Sequence, residues 1–207
     1  MADPRLSPGR LLGIDRSGPP PRETLAGQPL RPWTLPNAVG YARLALIPVF
    51  WVLAFGSGDG RLAAASVVFA IVAGADYLDG LLARATGQYS RLGTLMDPFT
   101  DRLLVVSGAA VTWHFELLPR WALAVLAARE VAMLLLAHWA LRRKVADIRV
   151  NMVGRLAVWP TMSSIFLAMV STTWVAEALL YLGLGMTLWA TALYVRDGLQ
   201  AASQTLK

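Results

Sequence analysis

Residues 76–101 read DYLDGLLARATGQYSRLGTLMDPFTD, which sets four carboxylates, Asp76, Asp79, Asp97 and Asp101, beside two of the most apolar stretches of the chain. An ionised side chain at membrane depth costs several kcal/mol unless it is paired, hydrated or bound to a metal. Helical rotation of about 100° per residue leaves Asp76 and Asp79 about 60° apart, and Asp97 and Asp101 about 40° apart. Each pair therefore shares a helix face. Four such oxygen donors predict a site for a hard divalent cation, Mg²⁺ or Mn²⁺, with Asp76, Asp79, Asp97 and Asp101 as ligands. The chain contains no cysteine, which excludes thiolate sites and disulfides. Gly80 and Ala83 continue the face of Asp76 and Asp79, and their small side chains let a bulky ligand approach the backbone before Arg84 supplies a charge. A carboxylate cage beside a small-residue cleft suits a metal-bound diphosphate.

The flanking sequence places this cage in a membrane domain. Of 207 residues, 56% are hydrophobic and only 15% are charged, more apolar surface than a soluble core of this size needs. Apolar segments fall at approximately 38–56, 61–82, 95–117, 121–141, 153–173 and 174–195, each near the ~20 residues that cross a bilayer. The expected fold is all-α, a polytopic membrane protein with six transmembrane helices. Only the stretch from Ser171 to Glu177 separates the last two. With the N-terminus in the cytoplasm, the outer loops hold Arg61 and Arg120 alone of the 19 Lys and Arg. Both termini are then cytoplasmic, and all four aspartates lie at the cytoplasmic interface, where a soluble ligand can reach them. Basic inner loops beside anionic headgroups account for the formal charge of +6, so no nucleic-acid partner is expected.

Residues 1–32 carry Pro4, Pro8, Pro19, Pro20, Pro21, Pro29 and Pro32 with five arginines, a composition that predicts a disordered, membrane-attracted cytoplasmic tail. They lack the apolar run of a signal peptide. Residues 33–200 form the membrane domain on this reading, Trp33 marking its interface, and 201–207 a short C-terminal tail.

The run from Asp76 resembles the signature of the CDP-alcohol phosphatidyltransferase family, D-x2-D-G-x2-A-R-x8-G-x3-D-x3-D, at every fixed position: Asp76, Asp79, Gly80, Ala83, Arg84, Gly93, Asp97 and Asp101. The resemblance implies transfer of a phosphatidyl group from CDP-diacylglycerol to an alcohol, with release of CMP. One or two metal ions, two being the expectation, would lie across the diphosphate. It also implies that Gly80, Ala83, Arg84 and Gly93 line the nucleotide cleft, although the two glycines could serve only close helix packing. The segment around Pro36, Asn37 and Arg43 resembles the family's P-N-x5-R pattern, which implies that Asn37 and Arg43 lie near the nucleotide. Pro36 and Asn37 could equally just start the helix, while Arg43, inside an apolar span, calls for an anionic partner or snorkels to the interface. Asp101, at the far end of the carboxylate set, is the expected general base, and it could also ligate a second ion.

A second polar cluster runs from Arg129-Glu130 through Arg142, Arg143 and Lys144 to Arg149 and Gly154-Arg155. An arginine fork can hold phosphate oxygens, so Arg129, Arg149 and Arg155 are candidates for an acceptor's phosphate, whereas Arg142, Arg143 and Lys144 obey the positive-inside rule. Because Arg129-Glu130 and Gly154-Arg155 resemble the glycerophosphate-using branch, the expected acceptor is glycerol 3-phosphate and the product phosphatidylglycerophosphate. Arg102 after Asp101 also resembles bacterial members that make cardiolipin from phosphatidylglycerol. Phosphatidylinositol phosphate synthesis is a third alternative. From a different class, an ion or proton transporter is disfavoured by the clustering of the acids at one interface. The resemblance further implies a homodimer, the arginine-rich, lysine-poor composition suggests a bacterial inner membrane, and the lipid tails of the donor would stay in the bilayer.

Overall fold

Thr34 begins the membrane domain by capping a helix: its hydroxyl accepts from the Asn37 amide at 3.3 Å, and Pro36 follows in the first turn, where a missing N–H costs nothing. The computed structural model describes residues 21–25, 27–142 and 156–204. Among these residues there are six α-helices and no strand: α1 (Leu35–Phe55), α2 (Ala63–Thr86), α3 (Arg91–His114), α4 (Arg120–Arg142), α5 (Val158–Val170) and α6 (Trp174–Gln204). Among the described residues before α1 there is one 3₁₀ turn, Arg22–Thr24.

The chain divides into two compact units. The first comprises the described residues up to Gly58 together with Leu62–Ser107; the second comprises Asp59–Arg61 and the described residues from Gly108 onward. In the first unit, α1 buries Asn37, Gly40, Arg43, Ile47, Phe50 and Ala54, a spacing of three and four that forms a single helix face. It packs on α2, which buries Ala65, Ser66, Phe69, Val72 and Asp79. Phe50 and Phe69 meet at the apolar end of this interface, with ring centroids 5.5 Å apart. Gly40 lies on the same face, where the end of the Met96 side chain occupies the space a Cβ would take. Helix α2 ends at Gly87, whose φ of +66° suits a residue without a Cβ. The turn that follows delivers α3 and the second pair of aspartates.

In the second unit, α5 packs on α6 and α4 contacts α6. The Ser164 hydroxyl donates to the Ala176 carbonyl at 2.6 Å, and Gly183 lets Thr161 approach so closely that a Cβ would lie 2.4 Å from its oxygen. Small residues at such crossings let helix backbones close up where no hydrophobic drive operates. The predicted break between the last two segments is real: α5 stops at Val170, Ser171 is extended, and α6 starts at Trp174. Helix α6 continues to Gln204, beyond the predicted end near residue 195, so Arg196 lies within the helix.

Among the described residues, three helices are long and apolar enough to cross a bilayer, α1, α2 and the Trp174–Leu193 part of α6, and α5 is a shorter apolar helix. Helix α3 carries Asp97, Asp101 and Arg102, which lowers its hydropathy without shortening it. Large apolar side chains such as Val52, Ile71, Leu135, Trp159 and Trp189 are exposed along the helices, a surface suited to lipid rather than water. The protein is a helical membrane protein.

Candidate active site

The first unit gathers the signature around one arginine. Arg43 projects from the buried face of α1 and is 1% exposed. Its Nη1 donates to Asp76 Oδ1 and to Asp79 Oδ2, both at 3.0 Å, and its Nη2 donates to Asp101 Oδ1 at 2.6 Å. Its Nε donates to the Val72 carbonyl at 3.1 Å, which fixes the plane of the fork. The helical spacing of Asp76 and Asp79 presents both to the same nitrogen, and α3 brings Asp101 from the other side. Asp97, one turn earlier on α3, is half-buried and interacts electrostatically with Asp79, Asp76, Arg43 and Asp101.

Exposure is graded across the cluster. The Asp79 side chain is 6% exposed, whereas those of Asp101 and Asp76 are 36% and 46% exposed. Asp79 and Arg43 thus form a buried foundation, and Asp76 and Asp101 form the open edge that a ligand meets first. Three carboxylates against one guanidinium leave an excess of negative charge. Their hard oxygen donors suit Mg²⁺ or Mn²⁺. Among the described residues no three acidic or histidine side chains stand together as around a shared ion; the carboxylates are arranged around the guanidinium instead.

Gly80 and Arg84 lie on the exit side of α2. A Cβ at Gly80 would stand 3.2 Å from Arg84 Nη1, so the missing side chain leaves the space in which that guanidinium sits. Ala83 is half-buried between them in sequence.

Asn37 and Gly93 belong to a separate clasp. The Asn37 amide nitrogen donates to the carbonyls of Arg31 and Pro32 at 2.9 and 3.1 Å, and its oxygen accepts from Ser90 Oγ at 2.8 Å. The Gly93 amide in turn donates to Ser90 Oγ at 2.9 Å. A Cβ on Gly93 would lie 3.0 Å from the Asn37 oxygen and 3.1 Å from Ser90 Oγ. Gln88 adds a bond from the Leu35 amide to its side-chain oxygen at 3.0 Å, and Leu92 N donates to the Leu30 carbonyl at 3.2 Å. These bonds tie the chain before α1 to the α2–α3 turn, which sets the register of the two aspartate pairs. Ser90 and Gln88 were not predicted, because they fall in the unspecified stretch between Arg84 and Gly93. Their polar side chains beside a helix-ending glycine were the available signal.

Arg129 belongs to the second unit. Its Nε donates to Thr191 Oγ1 at 3.0 Å and its Nη1 pairs with Glu130. Arg149 and Arg155, the other expected phosphate ligands, lie outside the described residues, as do Arg143, Lys144 and most of the N-terminal tail.

Residues 33–189, a range that holds every signature position, match the CDP-alcohol phosphatidyltransferase family. The chain is 37% identical over 170 residues to a cardiolipin synthase (CMP-forming) of Streptomyces coelicolor, covering 78% of this chain and 77% of that protein. It is 32% identical to a CDP-diacylglycerol–glycerol-3-phosphate 3-phosphatidyltransferase of Pseudomonas fluorescens over 78% of this chain and 88% of the relative. A Bacillus subtilis protein of the same name is 31% identical over 61% of this chain and 72% of its own length.

Proposed function

The chain belongs to the CDP-alcohol phosphatidyltransferase family, and from that premise we propose that it transfers the phosphatidyl group of CDP-diacylglycerol to a hydroxyl of glycerol 3-phosphate, forming phosphatidylglycerophosphate and CMP. The observation that carries the reading is the convergence of Asp76, Asp79 and Asp101 from two helices on one buried arginine, with the edge formed by Asp76 and Asp101 open to a ligand. Family membership also removes the ion-carrier alternative.

Asp76, Asp79, Asp97 and Asp101 are the residues that would hold Mg²⁺ or Mn²⁺. Bound there, the metal supplies charge neutralisation of the diphosphate and of the departing CMP oxygen. The chain's own groups do the rest. Asp101, at the open edge, accepts the proton of the attacking hydroxyl. The hydroxyl oxygen forms the new bond to the phosphatidyl phosphorus as the bond to CMP breaks, and the electron pair leaves on the CMP phosphate. Arg84, whose guanidinium lies beside Gly80, would face the nucleotide's phosphates. The apolar exterior of the helices leaves the acyl chains of the donor in the bilayer while the headgroup reaches the aspartates. In the topology argued from the basic residues, that site faces the cytoplasm across the inner membrane, where the nucleotide is soluble.

A second reading has its own support. The relative at 37% identity is named a cardiolipin synthase, and Arg102 follows Asp101 here. In that reaction phosphatidylglycerol supplies the acceptor hydroxyl. Both acceptors present a glycerol next to a phosphate, so the chemistry at Asp101 is shared and only the acceptor side differs. The test is CMP release by purified protein with CDP-diacylglycerol and Mg²⁺ or Mn²⁺, with each acceptor supplied alone. Release with glycerol 3-phosphate supports the first reading, release with phosphatidylglycerol alone replaces it with the second, and release with neither, from folded protein, removes both.

A further inference from the structure

Arg43 spends four of its N–H bonds inside the protein: two on Asp76 and Asp79, one on Asp101 and one on the Val72 carbonyl. A guanidinium has five N–H donors in a fixed fork, so little is left for a phosphate unless a carboxylate is released. The three acidic oxygens it engages belong to the residues proposed to hold a divalent ion, and its own side chain is buried beneath them. Two cations therefore have claims on one set of donors. One of them, the guanidinium, is covalently part of α1 and is oriented by a backbone carbonyl.

We propose that Arg43 is a positioning residue, the resident counter-ion of the ligand-free site: it holds Asp76, Asp79 and Asp101 in place until a divalent cation displaces it from at least one of them. The inference rests on the reading of the aspartates as metal ligands. Without a cation, Asp76, Asp79 and Asp101, which converge at the edge of an apolar domain, would repel and splay. With Arg43 among them, the donors are already gathered when the ion arrives, at the cost of competition for the same oxygens. A residue that served only packing, or only nucleotide binding, would not create that competition. Arg43 and the metal are thus thermodynamically coupled, and the coupling is reciprocal.

The test measures Mn²⁺ binding by electron paramagnetic resonance and thermal unfolding, on the full chain in detergent without substrate. The prediction for Arg43→Gln, which keeps a donor for the Val72 carbonyl but removes the charge, is Mn²⁺ binding tighter by about five- to tenfold. Its midpoint of unfolding should be lower than that of the wild type in chelator, and Mn²⁺ should restore most of the difference. Arg43→Lys, which keeps the charge, should bind Mn²⁺ about as the wild type does. Unchanged or weaker Mn²⁺ binding by folded Arg43→Gln overturns the proposal, as does an Arg43→Gln protein that Mn²⁺ cannot stabilise. Absence of Mn²⁺ binding in wild type and variants alike would overturn it in a different way, by removing the metal reading on which it stands.

Discussion

Arg43 and Arg129 are both arginines in the middle of apolar helices, yet their surroundings differ in kind. Arg43 is held by residues 29 to 58 positions away in the chain, and three of its partners are carboxylates. Arg129 pairs with Glu130, its neighbour in sequence, and with the Thr191 hydroxyl. The second arrangement sets one carboxylate against one guanidinium. The first does not: it leaves a surplus of negative charge at an edge that is open, and such a surplus is the electrostatic condition for recruiting further cations. A buried arginine in a membrane helix is therefore informative through the sum of charges around it, not through its own presence.

The largest effect should come from removing the further cations. Chelation should reduce CMP release by wild-type protein to background, and added Mg²⁺ or Mn²⁺ should restore it; activity that survives thorough chelation would erase the contrast between the two arginines. Next in size is the loss of each arginine. Arg43→Ala strands the buried Asp79, and breaking such a pair should cost about 3–5 kcal/mol in denaturant unfolding of the detergent-solubilised protein. Arg129→Ala, measured in the same way, should cost about 1.5–3 kcal/mol, the range for hydrogen bonds to charged groups. Equal costs would mean that the number of carboxylate partners does not matter.

Smaller effects should separate the two signature glycines. Gly93→Ala pushes on Asn37 and Ser90, which are buried and bonded to each other, and should cost about 1–3 kcal/mol of stability. Gly80→Ala meets only the end of the Arg84 side chain, so its stability cost should stay below about 1 kcal/mol while KM for CDP-diacylglycerol rises. A Gly80→Ala protein that is as unstable as Gly93→Ala, with unchanged KM, would assign both glycines to packing.

Much of this was legible in the sequence. The aspartate spacing and the apolar segments foretold two helices with acids on matched faces, because helical periodicity is local and reads directly from residue order. The short break between α5 and α6 was also visible around Ser171. The partners of Arg43 and Asn37 were not, since they depend on how α1 packs against α2 and on the course of the turn to α3. Asn37 is the clearest case: the family pattern placed it near the nucleotide and the local reading placed it at a helix start, but its amide is bonded to Arg31, Pro32 and Ser90. No periodicity links position 37 to position 90. Gly93 likewise gains its packing role from Asn37 and Ser90, neighbours that only the fold supplies.

The account stands most directly on Asp101, which is both a partner of Arg43 and the proposed base. Asp101→Asn keeps an oxygen for the Arg43 hydrogen bond but removes the basic carboxylate. CMP release should be measured for this variant and the wild type under identical conditions, with CDP-diacylglycerol, Mn²⁺ and whichever acceptor the wild type uses. The account predicts a fall of about 10²- to 10⁴-fold with unfolding behaviour close to that of the wild type. Release at the wild-type rate would contradict it and remove Asp101 from the chemistry.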